Sequence, residues 1–247
     1  MTTDRNDNHD PATVDPATVR PKPSLGANFE VPTYPALGFS TKSRVWGDKS
    51  PGAIEPTDPA YTAALRGQIL VEGGHRCTFC GFYSERNEVH NLNDIHRDVR
   101  PENLRPADAL CHGWQHLGEL GEGNAVVAYL PGLSGQDVNQ LQRTIMVALE
   151  SDEASVRDDA KQLLNWMASH RDYAKDAWGT SEPAVFASAL VRHDDRESRA
   201  VVFQDLAVVF NPGPYAQHVA AWSREAYRDL PVGRWHQVYH DVMNAPA

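Results

Sequence analysis

Three cysteines have a spacing that is typical of a metal centre. Cys77 and Cys80 form the tetrapeptide CTFC, which Gly81 follows, and two thiolates at this spacing bind one zinc ion from a tight loop. Cys111 supplies a third thiolate. Three cysteines cannot all form disulfides, so the pattern favours metal or redox chemistry over a disulfide framework. Five of the 11 histidines lie in residues 75–116, and we therefore expect structural Zn²⁺ in this region.

A tetrahedral zinc site needs a fourth ligand, and two residues near Cys111 compete for this position. Asp108 lies three residues before Cys111, so this second pair repeats the spacing of Cys77 and Cys80 with a carboxylate in place of one thiolate. His112 directly follows Cys111 and is the softer alternative. Because the spacing repeats, we place Asp108 ahead of His112, and the predicted metal ligands are Cys77, Cys80, Asp108 and Cys111.

The segment EVHNLNDIHRDVRPENL, residues 88–104, lies between the two pairs and contains histidines and asparagines that resemble those of the ββα-metal (His-Asn-His, HNH) nucleases. In this resemblance His90 matches the first metal ligand, Asn103 matches the central asparagine and His112 matches the last ligand. The resemblance implies a β-hairpin, followed by a helix that begins at the second pair of zinc ligands.

Asn91 occupies the position of the general base in this resemblance. An amide cannot accept a proton from water near neutral pH, and loss of a general base commonly lowers the rate by about 100- to 10,000-fold. His96 is an alternative base, but it lies five residues further along, in the expected hairpin turn. Residues 75–117 also contain six acidic side chains and five arginines, which is unfavourable for binding phosphate. We therefore expect a degenerate module and no enzyme activity.

The sequence divides into three parts. Residues 1–60 contain nine of the 17 prolines and the repeat DPATVDPATV, and they lack apolar periodicity, so we expect a disordered Pro-rich tail. Residues 61–120 form the predicted zinc-binding HNH-like module. Residues 121–247 are predicted to be a mainly helical interaction domain. The predicted fold class is therefore α+β.

Local signals place several elements in the third part. The run NAVVAYLP, residues 124–131, predicts a strand that ends at a Pro-Gly turn. Ser134 and Asp137 form a capping box that begins a helix. Apolar residues at helical spacing predict a second helix from Ser155 to Trp178.

Charge and hydrophobicity limit the function classes. The 247 residues carry a formal net charge of -10, which is unfavourable for a nucleic-acid binder and argues against a DNA-binding module of a mobile element. No apolar run approaches the roughly 20 residues that span a bilayer. The first residues, MTTDRNDNHDPATV, lack the features of a secretory signal, and we expect the protein in the cytosol.

A wider series of motifs resembles the IcmJ (DotN) family of the Dot/Icm type IVB secretion system and related conjugation-type machines. In the first half of the chain these motifs are RCTFCGF, EVHNLN, DIHRD, ENL and CH. In the second half they are VVAYLPGL, QLQRTIMVAL, AWGTSEPAVFASAL and FNPGPYAQHVAAW. The likeness covers residues 65–242 and excludes the tail.

This resemblance implies a non-catalytic scaffold or adaptor that is cytoplasmic and peripheral to the inner membrane through its complex. The expected partners are the C-terminal segment of a DotL-like coupling ATPase and the adaptors that recruit secreted substrates, with no nucleic acid. Four cysteines usually hold zinc in the family, and the fourth falls on Asp108 here. The alternative function is a metal-dependent HNH endonuclease of a mobile element.

A helix-in-groove interface with the ATPase would use aromatic anchors, although helical spacing alone favours ordinary core packing. The candidate anchors near the end of the chain are Trp222, Tyr227, Trp235 and Tyr239.

Overall fold

The computed structural model describes residues 33–39, 59–93, 98–190 and 201–244. Residues 33–235 belong to one compact unit, and residues 236–244 are the described, helical part of a second. Helices and short antiparallel sheets are both present, which confirms the predicted α+β class. Within the described ranges, no helix is both long enough and apolar enough to cross a bilayer.

The first part of the larger unit consists of two helices and one two-stranded sheet. Helix α1 spans Pro59–Glu72, strand β1 spans Glu88–Asn91, strand β2 spans Leu104–Ala107 and helix α2 spans Ala109–Gln115. Strands β1 and β2 are antiparallel, with His90 opposite Arg105. Residues 88–91, 104–107 and 109–115 are therefore strand, strand and helix in chain order.

The second part of the larger unit is built around strands β3 (Ala125–Tyr129) and β4 (Leu206–Phe210). They pair antiparallel, with Ala125 opposite Phe210, and every residue of β4 is buried. The strand predicted for residues 124–131 is therefore confirmed. Helix α3 (Gly135–Leu149) packs against β4 and also against α2.

Helix α3 begins at the capping box that the sequence predicts. The Ser134 hydroxyl accepts from the backbone N–H of Asp137 at 3.1 Å, and the Asp137 carboxylate accepts from the backbone N–H of Ser134 at 3.1 Å. Two backbone donors that helix geometry leaves without partners are thereby bonded.

Further α-helices with both ends among the described residues are α4 (Ala154–Ser169), α5 (Arg171–Trp178), α6 (Pro183–Leu190), α7 (Ala216–Arg224) and α8 (Trp235–Asn244). The prediction of one continuous helix from Ser155 to Trp178 is wrong, because the helix is interrupted at His170. The His170 carbonyl accepts from the backbone N–H of Tyr129 on β3 at 3.2 Å, so a contact with the sheet fixes the break.

Residues 33–39 form a segment without helix or strand that packs against the body of the unit. The Phe39 ring lies 5.0 Å from Trp114 and 6.0 Å from Phe203, measured between centroids, and Leu37 is buried beside it. The Gly38 carbonyl accepts from the Gln115 side chain at 2.9 Å. Within the predicted tail, Leu37 and Phe39 are therefore packed, because these apolar side chains have a complementary surface. Residues 1–32 and 40–58 lie outside the described residues, and disorder of the tail stays a prediction.

The four candidate anchors differ in burial. Trp222 is a core residue, 1% exposed, and Tyr227 and Trp235 are partly buried against the same core. Tyr239 is 68% exposed. Core packing is therefore confirmed for Trp222, whereas the candidate anchor Tyr239 is largely exposed.

Candidate metal centres

The sulfur atoms of Cys77, Cys80 and Cys111 lie within 4.8 Å of one another and are buried; these residues form the cysteine cluster. A tight turn brings the first two together: Gly81 has a φ of 69°, a value that favours glycine, and its N–H donates to the Cys77 carbonyl at 2.8 Å. The Cys77 N–H donates to the Phe82 carbonyl at 3.0 Å. Cys111 lies in the first turn of α2, so the predicted convergence of the three thiols is confirmed.

The three thiols are close enough to interact, and hydrogen bonds among them shift their pKa values in different directions. Hydrogen bonds from Cys111 and Cys77 lower the pKa of Cys80 to about 3; the charge of Arg143 acts in the same direction, and burial opposes both. Hydrogen bonds with Cys77 and Cys80, together with burial, raise the pKa of Cys111 well above its ordinary value. A compact, buried set of three soft donors fits Zn²⁺.

Asp108 caps helix α2 beside the cysteine cluster and is completely buried. Its Oδ1 accepts from the backbone N–H groups of Leu110 at 3.1 Å and Cys111 at 3.4 Å, and it pairs with the Arg143 Nη2 at 2.8 Å. Its Oδ2 is buried and has no hydrogen-bond partner among the described residues. A buried carboxylate oxygen without a hydrogen-bond partner is suited to bind a metal ion.

The Asp108 carboxylate is not part of the group of described ligand atoms that lie within 4.8 Å of one another. Its assignment as the fourth ligand therefore stays a prediction. The alternative ligand, His112, lies in a second group.

His90, His112 and His116 form this second group, the histidine cluster, and their ligand nitrogens lie within 4.8 Å of one another. His90 comes from β1, and the other two lie four residues apart at α2 and its C-terminal end. Ring centroids are separated by 5.5 Å between His90 and His112, and by 4.4 Å between His112 and His116. The structure thus brings together the two histidines that the sequence selects and adds His116.

His112 and His116 each have a carboxylate next to the Nδ1 atom. The His112 Nδ1 is in short contact with Glu88 Oε2, and the His116 Nδ1 lies 3.5 Å from Glu119 Oε2. Carboxylates in this position orient the ring and leave Nε2 for a metal. Burial raises the pKa of Glu88, but the hydrogen bond with His112 and nearby positive charges together bring it below its ordinary value.

Asn91 and Asn103 bind the loop between β1 and β2. The side-chain amides of both residues donate to the Asp98 carbonyl, at 2.9 Å from Asn91 and 2.8 Å from Asn103. Asn103 also donates to the side chain of Asn93 at 2.9 Å. These contacts give Asn91 a structural role. His96, the alternative base, lies outside the described residues.

Sequence reasoning missed four residues that complete these two centres. His116 had a local signal, because it lies four residues after His112 and therefore on the same helix face. Glu88, Asn139 and Arg143 had none, since only the tertiary structure brings them to the clusters.

The chain is 22% identical over 171 residues to the Type 4 apparatus protein DotN of Legionella pneumophila. The aligned region covers 66% of this chain and 79% of DotN. This is a distant similarity, and it supports the relation that the motifs suggest. No protein-family model matches the chain, so the relation of the β1–β2–α2 segment to HNH nucleases stays a prediction.

Proposed function

We propose that this chain is a non-catalytic, zinc-stabilised scaffold or adaptor of a type IVB-like secretion or conjugation coupling complex. It binds the C-terminal segment of the coupling ATPase and supports substrate recruitment. In this role it is cytoplasmic and reaches the inner membrane only through its complex. The similarity to DotN, which extends over most of both chains, carries the proposal.

The cysteine cluster supports the zinc part of the proposal. Cys77, Cys80 and Cys111 would hold the ion with Asp108 as the fourth ligand, and the ion would cross-link the turn at residues 77–81 to α2. The free energy of binding a structural zinc contributes directly to folding.

The contacts of Asn91 support the non-catalytic part of the proposal. Its amide donates to the Asp98 carbonyl, so this position holds a loop where cleavage would need a proton acceptor. The formal charge of -10 also opposes binding to a phosphate backbone.

Binding to the ATPase can be measured by calorimetry with the purified chain and a peptide from the C-terminal segment of the cognate coupling ATPase. We expect saturable binding to this peptide and none to a peptide of the same composition in scrambled order. Equal heats for both peptides, or no binding, would remove the scaffold assignment.

A metal-dependent HNH endonuclease is the second candidate, and the histidine cluster is the observation that favours it. The test is nicking of supercoiled DNA with Mg²⁺ or Mn²⁺, with His90→Ala as the control. We expect no nicking by either protein. Nicking by the natural chain that His90→Ala abolishes would establish the enzyme and reverse the ranking.

A further inference from the structure

Helix α3 brings two buried polar side chains to the cysteine cluster from outside the segment that contains the cysteines. Asn139 and Arg143 lie four residues apart, so they share one face of α3, and neither is exposed to solvent. We propose that Asn139 and Arg143 are positioning residues for the zinc centre: Asn139 orients Cys111, and Arg143 holds Asp108 and Cys80 and balances the negative charge of the centre. This inference rests on the zinc centre of the proposed function.

The contacts of Asn139 determine which side-chain atom faces the sulfur. Its Oδ1 accepts from the Trp114 indole Nε1 at 3.0 Å, and an indole N–H can only donate. The amide nitrogen must therefore point the other way, where Nδ2 donates to the Cys111 sulfur at 3.4 Å. Gln142 also donates to Oδ1, at 3.5 Å. Asn139 is thus a fixed donor to one sulfur of the cluster.

The Arg143 guanidinium contacts two members of the centre. Its Nη2 lies 2.8 Å from Asp108 Oδ1 and 3.9 Å from the Cys80 sulfur. Its central carbon lies 3.7 Å from the centroid of the Phe82 ring, and Nη1 donates to Gln140 at 3.0 Å. These contacts fix the plane of the guanidinium, and a lysine cannot reproduce this geometry.

Charge explains why an arginine is tolerated at this depth. A fully buried cation is costly unless it is paired, and Asp108 is the only carboxylate paired with Arg143 among the described residues. Three thiolates and a carboxylate would outweigh the two positive charges of zinc, so the loaded centre carries net negative charge. Arg143 lies where it offsets part of that charge.

The two carboxylate oxygens of Asp108 differ in their contacts. Oδ1 accepts from the α2 backbone and from Arg143, which fixes the carboxylate. Oδ2 is buried and has no hydrogen-bond partner among the residues that the structure describes. One oxygen is therefore held by the protein, and the other can bind the metal.

The test compares Arg143→Met and Asn139→Leu with the natural chain. Zinc affinity is measured by competition with a chromophoric chelator, and Co²⁺ is used as a spectroscopic substitute. Loss of a residue that orients a metal ligand lowers metal affinity by about 10- to 100-fold, and we expect this loss for each variant. The visible Co²⁺ absorption bands should shift in both.

Two further variants separate positioning from a general effect on folding. Arg171→Met removes the same charge from an exposed position on α5 and should leave zinc affinity unchanged within about twofold. Arg143→Lys retains the charge without the planar geometry of the guanidinium, so its zinc affinity should lie between those of Arg143→Met and the natural chain. If Arg143→Met does not fold, we expect Arg143→Lys to remain folded.

The positioning role would be overturned if folded Arg143→Lys and Asn139→Leu had the same zinc affinity and Co²⁺ spectra as the natural chain. This result would leave the zinc centre intact. A natural chain that binds no zinc would instead overturn the zinc centre of the proposed function and this inference together.

Discussion

The Asn91 side chain donates a hydrogen bond to the Asp98 carbonyl at 2.9 Å, and Asn103 donates to the same oxygen at 2.8 Å. Asn91 is 8% exposed, so water cannot easily replace the lost contact if the amide is removed. At the scale of the residue, the sequence indicates that Asn91 cannot act as a general base, since an amide is not a base. The structure adds that its side chain binds the Asp98 carbonyl.

We predict that Asn91→Ala lowers the free energy of unfolding by about 1 kcal/mol, the usual net contribution of one internal hydrogen bond. Urea denaturation measures this change. Asn165→Ala is the matched control, because Asn165 is exposed on α4 and alanine favours the helix. The control should be unchanged or slightly stabilised; an Asn91→Ala variant as stable as the natural chain would contradict the structural role.

Asp98 makes the same loop sensitive to acid. Its carboxylate forms a salt bridge with Arg100 at 2.6 Å, and the hydrogen bond from Arg100 lowers the pKa of Asp98 to about 2 from an ordinary value of 3.8. A carboxyl with a depressed folded-state pKa stabilises the fold above its unfolded pKa, and this contribution disappears as the pH falls through the folded value.

We therefore predict that the natural chain loses stability relative to Asp98→Asn as the pH falls from about 4 to about 2. Urea denaturation at about pH 6, 4, 3 and 2, which covers this transition, measures the difference between the two proteins. Taking the difference removes the effect of protonation at other groups. A difference that is constant with pH would show that Asp98 is not stabilised in its ionised form.

At the scale of elements, success in predicting the fold depends on how local the signal is. The capping box at Ser134 and the strand Ala125–Tyr129 are specified by adjacent residues, and both are present. The break at His170 depends on a bond from Tyr129, and the packing of Phe39 depends on rings far along the chain. Such tertiary contacts have no signal in a short window of sequence.

The segment at residues 33–39 should contribute measurably to stability through Phe39. Its ring is 8% exposed and contacts the rings of Trp114 and Phe203. We predict that Phe39→Ala lowers the free energy of unfolding by about 3 kcal/mol, near the lower end for a buried phenylalanine. Chemical denaturation provides the measurement.

Tyr34→Ala is the control within the same segment, since Tyr34 is 39% exposed. Its loss should be clearly smaller than that of Phe39→Ala. Equal stability of Phe39→Ala and the natural chain would show that the segment does not contribute to the core.

At the scale of the whole molecule, the proposed zinc centre would join the two parts of the larger unit. The cysteines come from the turn at residues 77–81 and from α2, and the donors Asn139 and Arg143 come from α3. Spacing alone predicts the cysteine cluster because ligand pairs in a tight turn are local. The contacts of Asn139 and Arg143 with this cluster follow only from the packing of α3 against α2.

The zinc content of the purified chain tests the central claim most directly. Elemental analysis of the natural chain should show one zinc per chain. The Cys77→Ser variant should lose this zinc, and the His112→Ala variant should keep it. Cys77→Ser should also unfold the segment around the cysteine cluster, since zinc binding contributes to folding. A natural chain without zinc, or a Cys77→Ser variant that keeps its zinc and its stability, would contradict the account.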